Sequence, residues 1–380
     1  MTETVPQAIR PLAWPGALLK PESGLAPRLI RRACEQIFLV LAASVVATTA
    51  VGSDRGGTTD LASYAADPSP LDTTAAGFSA SGMLQVVAEG LAQMVRRSYP
   101  GSSFVYEPGG PAGGIVRLAR GERPFAIQTG TDLSLALAGS PPFREAYAPA
   151  SFLPVARIAE GFIVQVYARE EFLQRYGVSD LGDVARQRIP MRVSTNPRGN
   201  TVSQAMAHLI LGYYGMDYER IESWGGEIIY LPTRASNDLM RNQKLDVVIT
   251  AGFAPSSALS ELAVGTPIRM LSLPPQLTER LVNELGMEPS MLPAGTYSFV
   301  TEDMPLPAAY FLLTAGPHTY GGDVYKVLRS LHDQFDYYRM LHPRFAELDR
   351  SMLAKTGTLA RHPVAEAFFR DAGLVTGSNN

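Results

Sequence analysis

Short apolar runs alternate with stretches of helical hydrophobic spacing through most of the chain. After the run 71–76, for example, Leu84, Val87, Leu91 and Val95 recur at the spacing of one helix face. Further pairs of strand and helix are predicted at 103–107 and 115–120, 125–129 and 133–137, 191–195 and 202–210, 227–231 and 234–242, and 309–314 and 322–338. Strands that alternate with helices at this density predict an α/β fold with a parallel sheet covered on both faces.

Two β-rich runs, 152–159 and 162–168, follow each other without a helix between them. We expect the chain to cross into a second lobe at this point, since 380 residues are about twice the usual size of a domain. The predicted parts are an N-terminal region 1–53, a first lobe from 68–160 and 300–380, and a second lobe from 161–299. The strand at 309–314 would return the chain to the first lobe.

Each predicted lobe contains a strand, a loop of small and polar residues, and a helix that begins at the loop. The loops are 78–82 in the first lobe and 196–201 in the second. Small side chains let a ligand approach the backbone, and the first N–H groups of a helix lack intrahelical partners and favour an anion. Either loop alone is also compatible with a plain tight turn. The recurrence of the design predicts two facing sides of a ligand cleft.

The N-terminal region contains an apolar run of fifteen residues, 37–51, which follows Arg28, Arg31 and Arg32. This is shorter than the roughly 20 residues of a membrane-spanning helix. The run ends in small residues at 47–50, which is typical of a cleaved export signal. We therefore expect cleavage near Ala50 and a periplasmic protein, and the alternative is an uncleaved membrane anchor.

Composition and missing motifs exclude several classes of function. A net charge of −3 gives no basic footprint for nucleic acid. Cys34 is the single cysteine and precedes the export run, so the mature chain would have neither a disulfide nor a cysteine-based site. The five histidines show no metal-ligand spacing, and the glycines 109–114 do not fit a dinucleotide fingerprint. We therefore expect no metal and no cofactor.

Catalytic groups are also missing from the loops. Ser79 follows Gly77 as in a nucleophile elbow, but Ser81 stands where that motif needs a second glycine. The remaining polar groups include no acid, base or nucleophile that is evidently activated, which is typical of a binding protein. Arg198 is the one strong anion partner in these loops and can form a bidentate pair with a carboxylate. Its alternative interpretation is an arginine on the surface of a loop.

The succession of motifs from about residue 70 to the C-terminus resembles the TAXI-type solute receptors of tripartite ATP-independent periplasmic (TRAP) transporters. The matching stretches are 77–83, 118–122, Gln128-Thr129 with Asp132, 197–201, Gly252 with Pro255, 261–263, 293–297 and His362-Pro363. There are departures. The first loop has Phe78, Ala80 and Met83 where the family has Thr and Tyr, and Arg198 stands where a small residue is usual.

The resemblance implies a hinged, two-lobed periplasmic binding protein fold with a small organic anion, often a carboxylate, between the lobes. Its implied partner is a TRAP-type membrane permease, and we expect a monomer without enzymatic activity. The candidate ligand-binding residues are Phe78, Ser79, Ala80, Ser81, Gly82, Gln128, Arg198, Gly199, Asn200, Thr201 and Gly252.

Two other classes of function stay open at this point. One is an enzyme on the same bilobal fold, as in some proteins of pyrimidine synthesis, which would need an activated group in the cleft. The other is a membrane-tethered sensor domain, which would need the apolar run 37–51 to be retained.

Overall fold

The computed structural model describes residues 61–77, 83–109 and 113–375. These residues form a mixed sheet of nine strands and a separate two-stranded ribbon of β9 and β10. The strands are β1 (Asp72–Gly77), β2 (Ser103–Pro108), β3 (Phe125–Thr129), β4 (Leu153–Arg169), β5 (Arg192–Ser194), β6 (Glu227–Ile229), β7 (Val247–Phe253), β8 (Ile268–Met270), β9 (Met291–Leu292), β10 (Met304–Pro305) and β11 (Ala308–Ala315).

Helices cover the sheet and connect most of its strands. They are α1 (Leu61–Ala65), α2 (Met83–Ser98), α3 (Gly113–Ala119), α4 (Gly130–Ala138), α5 (Glu170–Tyr176), α6 (Leu181–Gln187), α7 (Thr201–Tyr213), α8 (Tyr218–Ser223), α9 (Thr233–Arg241), α10 (Ser257–Ala263), α11 (Pro275–Leu285), α12 (Gly321–Asp333), α13 (Phe335–Met340) and α14 (Pro363–Asp371). Short 3₁₀ turns occur at Pro149–Ser151, Pro343–Phe345 and Arg350–Ala354. Within the described ranges, no helix is both long and apolar enough to cross a bilayer.

The sheet has two parallel regions separated by antiparallel strands. Its order is β2-β1-β3-β11-β4-β7-β5-β6, with β8 paired to β4 outside this path. Strands β1, β2 and β3 are parallel in the first lobe, and β5, β6 and β7 are parallel in the second. Strands β4 and β11 pair antiparallel with each other and with their other neighbours. The fold class of two α/β lobes joined by hinge strands is thus confirmed, but the expectation of a wholly parallel sheet is wrong.

The hinge is made by one long strand, where the sequence pattern predicts two. The first part of β4 pairs with β11, and its second part, from Phe162, pairs with β7. Gly161 lies between these parts at a φ of +79°, a conformation that favours glycine. The strand continues through this position because it has a hydrogen-bonded neighbour on both sides. The residue boundaries of the lobes stay a prediction, and region 1–53 lies outside the described residues.

Three other elements differ from the sequence prediction. The expected turn at 251–253 is the end of β7, because Phe253 still pairs with Phe162. The expected helix 322–338 is divided into α12 and α13 at Gln334, whose backbone is not helical. Helix α5 was not predicted. Its seven residues are too short for a clear periodic signal.

Two clusters of buried apolar side chains form the core. One lies on a face of the first lobe and includes Leu91 of α2, Leu328 of α12 and Phe369 of α14. The other covers the opposite face of the first lobe and continues through the second lobe, with members such as Leu118 and Ile249. The shared cluster holds the two lobes against each other around the hinge strands.

Candidate functional site

The carboxyl ends of strands from both lobes meet at the middle of β4. Strand β3 ends at Thr129, which is opposite Phe311, and Phe311 is in turn opposite Ala159 of β4. From the second lobe, β7 ends at Phe253, which is opposite Phe162 of β4. Ligands of open α/β sheets bind at the carboxyl ends of the parallel strands. The candidate site is therefore the cleft that borders positions 159–162.

A capping box fixes the junction between β3 and α4. The backbone N–H of Asp132 donates to the Thr129 hydroxyl at 3.1 Å, and the backbone N–H of Thr129 donates to the Asp132 carboxylate at 3.0 Å. Burial raises the pKa of Asp132 to about 6, although its hydrogen bonds with Thr129 act in the opposite direction. The start of α4 is thus held rigidly beside the end of β3.

Next to this box, polar side chains are buried without partners. Gln128 is fully buried, and neither its amide nitrogen nor its amide oxygen has a hydrogen-bond partner in the part of the chain that the structure describes. The Thr131 hydroxyl and the second carboxylate oxygen of Asp132 are in the same state. A buried polar group without a partner costs about 1–3 kcal/mol, so such groups call for a physical reason. A bound ligand would supply the missing hydrogen bonds.

At the junction between β5 and α7, in contrast, the protein satisfies its own polar groups. The Gln204 amide donates to the backbone carbonyls of Thr195 and Asn196, both at 2.9 Å, and its oxygen accepts from the Tyr218 hydroxyl at 3.3 Å. The Asn196 amide donates to the carbonyl of Ile249 at 3.2 Å. These bonds tie the ends of β5 and β7 to α7.

The loop between β5 and α7 places its four predicted residues differently. Arg198, Gly199 and Asn200 are exposed, and Asn200 caps α7 by accepting from the backbone N–H of Ser203 at 3.1 Å. Thr201 is buried, and its hydroxyl has no partner among the described residues. Because α7 contacts α4, Thr201 lies on the side of the second lobe that faces the first.

Arg198 is engaged on the surface of the second lobe. Its guanidinium lies 3.8 Å from the centre of the Tyr230 ring, a cation–π contact worth about 0.5–1 kcal/mol at an exposed position. To bind an anion between the lobes, the side chain would have to leave this ring or bind at the outer edge of the cleft.

Gly252 lies near the end of β7 within a small hydrogen-bonded group. Its carbonyl accepts from the Gln165 amide at 3.2 Å, and a side chain at Gly252 would come within 3.4 Å of that nitrogen. The Tyr297 hydroxyl accepts from the backbone N–H of Ser256 at 2.9 Å and reaches the Gln165 oxygen at 3.5 Å. Burial raises the pKa of Tyr297.

Sequence reasoning missed two residues of this region, Gln165 and Arg344. Gln165 is the one amide in the apolar run 162–168, and that contrast was an available signal. Arg344 stands in a sequence without any motif, so only the tertiary structure reveals its place. The predicted loop residues Phe78, Ser79, Ala80, Ser81 and Gly82 lie outside the described residues.

The described residues contain no cluster of three or more His, Cys, Asp or Glu side chains suited to a metal ion. A groove of about 1140 Å³ lies elsewhere on the second lobe, where Tyr213, Arg269 and Phe299 are among its lining residues. None of the predicted site residues lines this groove. The cleft at the strand ends therefore stays the candidate site.

Comparison with known proteins gives a family match over most of the chain. The model of a family described as the NMT1-like family matches residues 75–373. No curated protein matches the sequence significantly.

Solved structures with a similar fold include periplasmic binding proteins. The periplasmic binding protein BugD has a TM-score of 0.44 and 16% identity, over 80% of this chain and 98% of BugD. MatC from Rhodopseudomonas palustris, solved with bound malate, has a TM-score of 0.44 and 16% identity, over 80% and 97%. The alkanesulfonate-binding protein SsuA from Xanthomonas axonopodis pv. citri, bound to MOPS, has a TM-score of 0.40 and 10% identity, over 75% and 82%. At these scores, the likenesses carry no argument about the ligand.

Proposed function

Because this chain belongs to the NMT1-like family, we propose that it is an extracytoplasmic solute-binding receptor for a small organic anion. The observation that carries the proposal is the pair of buried side chains Gln128 and Thr201, whose polar atoms have no partners among the described residues. They come from different lobes, at the end of β3 and the start of α7. A ligand between the lobes would satisfy both.

The chemistry of this cleft suits an anion. The Gln128 amide and the Thr201 hydroxyl can each donate a hydrogen bond to a carboxylate oxygen. Helices α4 and α7 begin beside these residues, and the positive ends of their dipoles favour negative charge. We place the predicted residues 78–82 and Gly252 at the border of the same cleft. Tighter binding to the closed than to the open arrangement would drive closure of the lobes.

The remaining parts of the proposal concern partners and location. The order of the motifs supports a TRAP-type permease as the membrane partner that receives the closed receptor. The apolar run 37–51 supports export to the periplasm. We assign binding without catalysis, since the side chains offered by both junctions are amides and hydroxyls and the Asp132 carboxyl is held in a capping box.

Thermal-shift screening of the purified full-length protein tests the proposal. The panel contains acetate, succinate, malate, benzoate, methylphosphonate and methanesulfonate, and the neutral compounds acetamide, succinamide and benzamide serve as controls. A ligand at 100 times its Kd adds about 2.7 kcal/mol to the free energy of unfolding, so the melting temperature should rise by several degrees. The proposal is wrong if no anion raises it, or if the neutral amides raise it equally.

A further inference from the structure

The 3₁₀ turn Pro343–Phe345 brings the C-terminal part of the chain to the end of β7. The His342 ring lies 6.2 Å from the Phe253 ring, and the Phe345 ring lies 6.3 Å from it. Phe253 is the last residue of β7 and pairs with Phe162 in the middle of β4. The turn therefore lies beside the strand ends that border the candidate site.

Arg344 is the central residue of this turn, and its side chain is directed inward. Its Nε is buried, whereas the residue as a whole stays partly exposed. Its positive charge lowers the pKa of Tyr297 against the larger effect of burial, and it adds to the lowering of the His342 pKa by burial. The Tyr297 hydroxyl contacts the backbone of Ser256, three residues after β7. The guanidinium thus lies near the end of β7.

Two other inward-facing arginines show how this protein normally stabilises a buried guanidinium. Arg157 pairs with both carboxylate oxygens of Glu288 at 2.6 Å. Arg169 pairs with Asp246 at 3.0 Å and with Glu171 at 2.9 Å. The guanidinium of Arg344 has neither a hydrogen bond nor an ion pair with any residue that the structure describes, and its buried Nε is left without an acceptor. Removing a charged group from water without a partner is costly, so this arrangement points to an external partner.

We propose that Arg344 anchors the anionic group of the ligand through a bidentate pair with its carboxylate. This inference rests on the proposed function and specifies the residue that supplies the positive charge. A guanidinium presents parallel N–H donors whose spacing matches the two oxygens of a carboxylate. Arg198, which the sequence pattern favoured, has its guanidinium on the Tyr230 ring. Its contribution to affinity is therefore the smaller of the two.

Calorimetric titration of full-length variants tests this assignment. Every panel anion that raises the melting temperature of the wild type is titrated into the wild type, Arg344→Gln, Arg198→Gln and Arg280→Gln. Arg280 makes an exposed ion pair with Glu284 at 2.5 Å on α11 and serves as the matched control. We expect Arg344→Gln to weaken binding about 10- to 100-fold, in keeping with a lost charged hydrogen-bonded pair. Arg198→Gln should weaken it at most about threefold, and Arg280→Gln should not change it.

The outcomes separate this inference from the proposed function. If the wild type binds a panel anion and Arg344→Gln binds it equally, the Arg344 anchor is wrong and the receptor function stands. If the wild type binds none, the proposed function fails and the anchor with it. Should Arg344→Gln not fold, Arg344→Lys replaces it, since Lys keeps the charge but lacks the fork. Weaker binding by Arg344→Lys supports the bidentate pair, and unchanged binding overturns it.

Discussion

Two glutamines, one at each strand–helix junction, are in opposite hydrogen-bonding states. Gln204, beside the end of β5, donates to two backbone carbonyls and accepts from Tyr218. Gln128, at the end of β3, is fully buried, and its amide has no partner among the described residues. The sequence pattern assigns the two junctions the same role. The structure shows that the second lobe satisfies its own polar groups, whereas the first lobe leaves several of them available to a ligand.

This difference indicates a division of tasks between the lobes. A junction whose groups are already hydrogen-bonded is rigid and stable, and it can close over a ligand without reorganising. A junction with buried groups that lack partners is less stable without ligand and gains most when a ligand fills the cleft. We therefore expect substitutions at the two junctions to change stability in opposite directions.

The largest effect is expected for Asp132→Asn in the first-lobe junction. The folded-state pKa of Asp132 is about 6, above its ordinary value of 3.8, because the carboxyl is buried. The native state therefore binds more protons than the unfolded state between these values, and this group's contribution to stability is lost as the pH rises through 6. An Asn is neutral at every pH. Relative to wild type, Asp132→Asn should gain about 3 kcal/mol between pH 4 and pH 7.

Urea unfolding at pH 4, 5, 6 and 7.5 measures this gain. Comparing the two proteins at each pH removes the contributions of other titrating groups, such as His362, whose pKa burial lowers to about 4. Stability curves that run parallel over this range would show that the Asp132 carboxyl is not destabilised in the folded protein.

The next largest effect is expected for Gln204→Met in the second-lobe junction. Methionine keeps the length of the side chain but leaves the carbonyls of Thr195 and Asn196 without their donor. We expect the free energy of unfolding to fall by about 2 kcal/mol, measured by urea unfolding. An unchanged value would mean that these hydrogen bonds do not hold the junction together.

The same substitution in the first lobe, Gln128→Met, should have a smaller effect of the opposite sign. It removes two buried polar atoms that lack partners, so the protein without ligand should become more stable by about 1 kcal/mol. The pair Gln128→Met and Gln204→Met is matched in chemistry and differs only in hydrogen-bonding state. If both variants lose stability equally, the contrast between the junctions is wrong.

The smallest change in stability is expected for Thr201→Val, which replaces a buried hydroxyl without a described partner by a methyl group of similar volume. Thermal unfolding should change by less than about 0.5 kcal/mol, while the affinity for a bound anion should fall about fivefold. A matched change, Thr129→Val, removes a hydroxyl that caps α4 and should cost about 1–2 kcal/mol of stability. Equal losses in the two variants would show that the Thr201 hydroxyl is also structural.

Local patterns predicted most of the fold. Strand β3 has the predicted bounds, because its apolar residues end at a Thr and a Gly that begin a helix. The single hinge strand β4 was not predicted, since its continuity at Gly161 depends on neighbours that are distant in sequence. The mixed direction of the sheet has the same origin, because the pairing of β11 with β3 and β4 is decided by tertiary structure.

The candidate site was predictable in part. The sequence located Gln128 and Thr201 through strand–loop–helix patterns and the family resemblance, but it did not distinguish them from neighbours that the protein itself hydrogen-bonds. It favoured Arg198 because that arginine lies in a predicted loop. Arg344 is about ninety positions from the end of β7, and no local pattern indicates that it lies there.

The most direct test of the central claim is calorimetric titration of one panel anion that shifts the melting temperature into wild-type and Gln128→Met protein. We predict one site per wild-type chain, and binding at least about tenfold weaker in the variant even though the variant is the more stable protein without ligand. Equal affinity in the two proteins would contradict the claim that the groups buried at the end of β3 are there to bind a ligand.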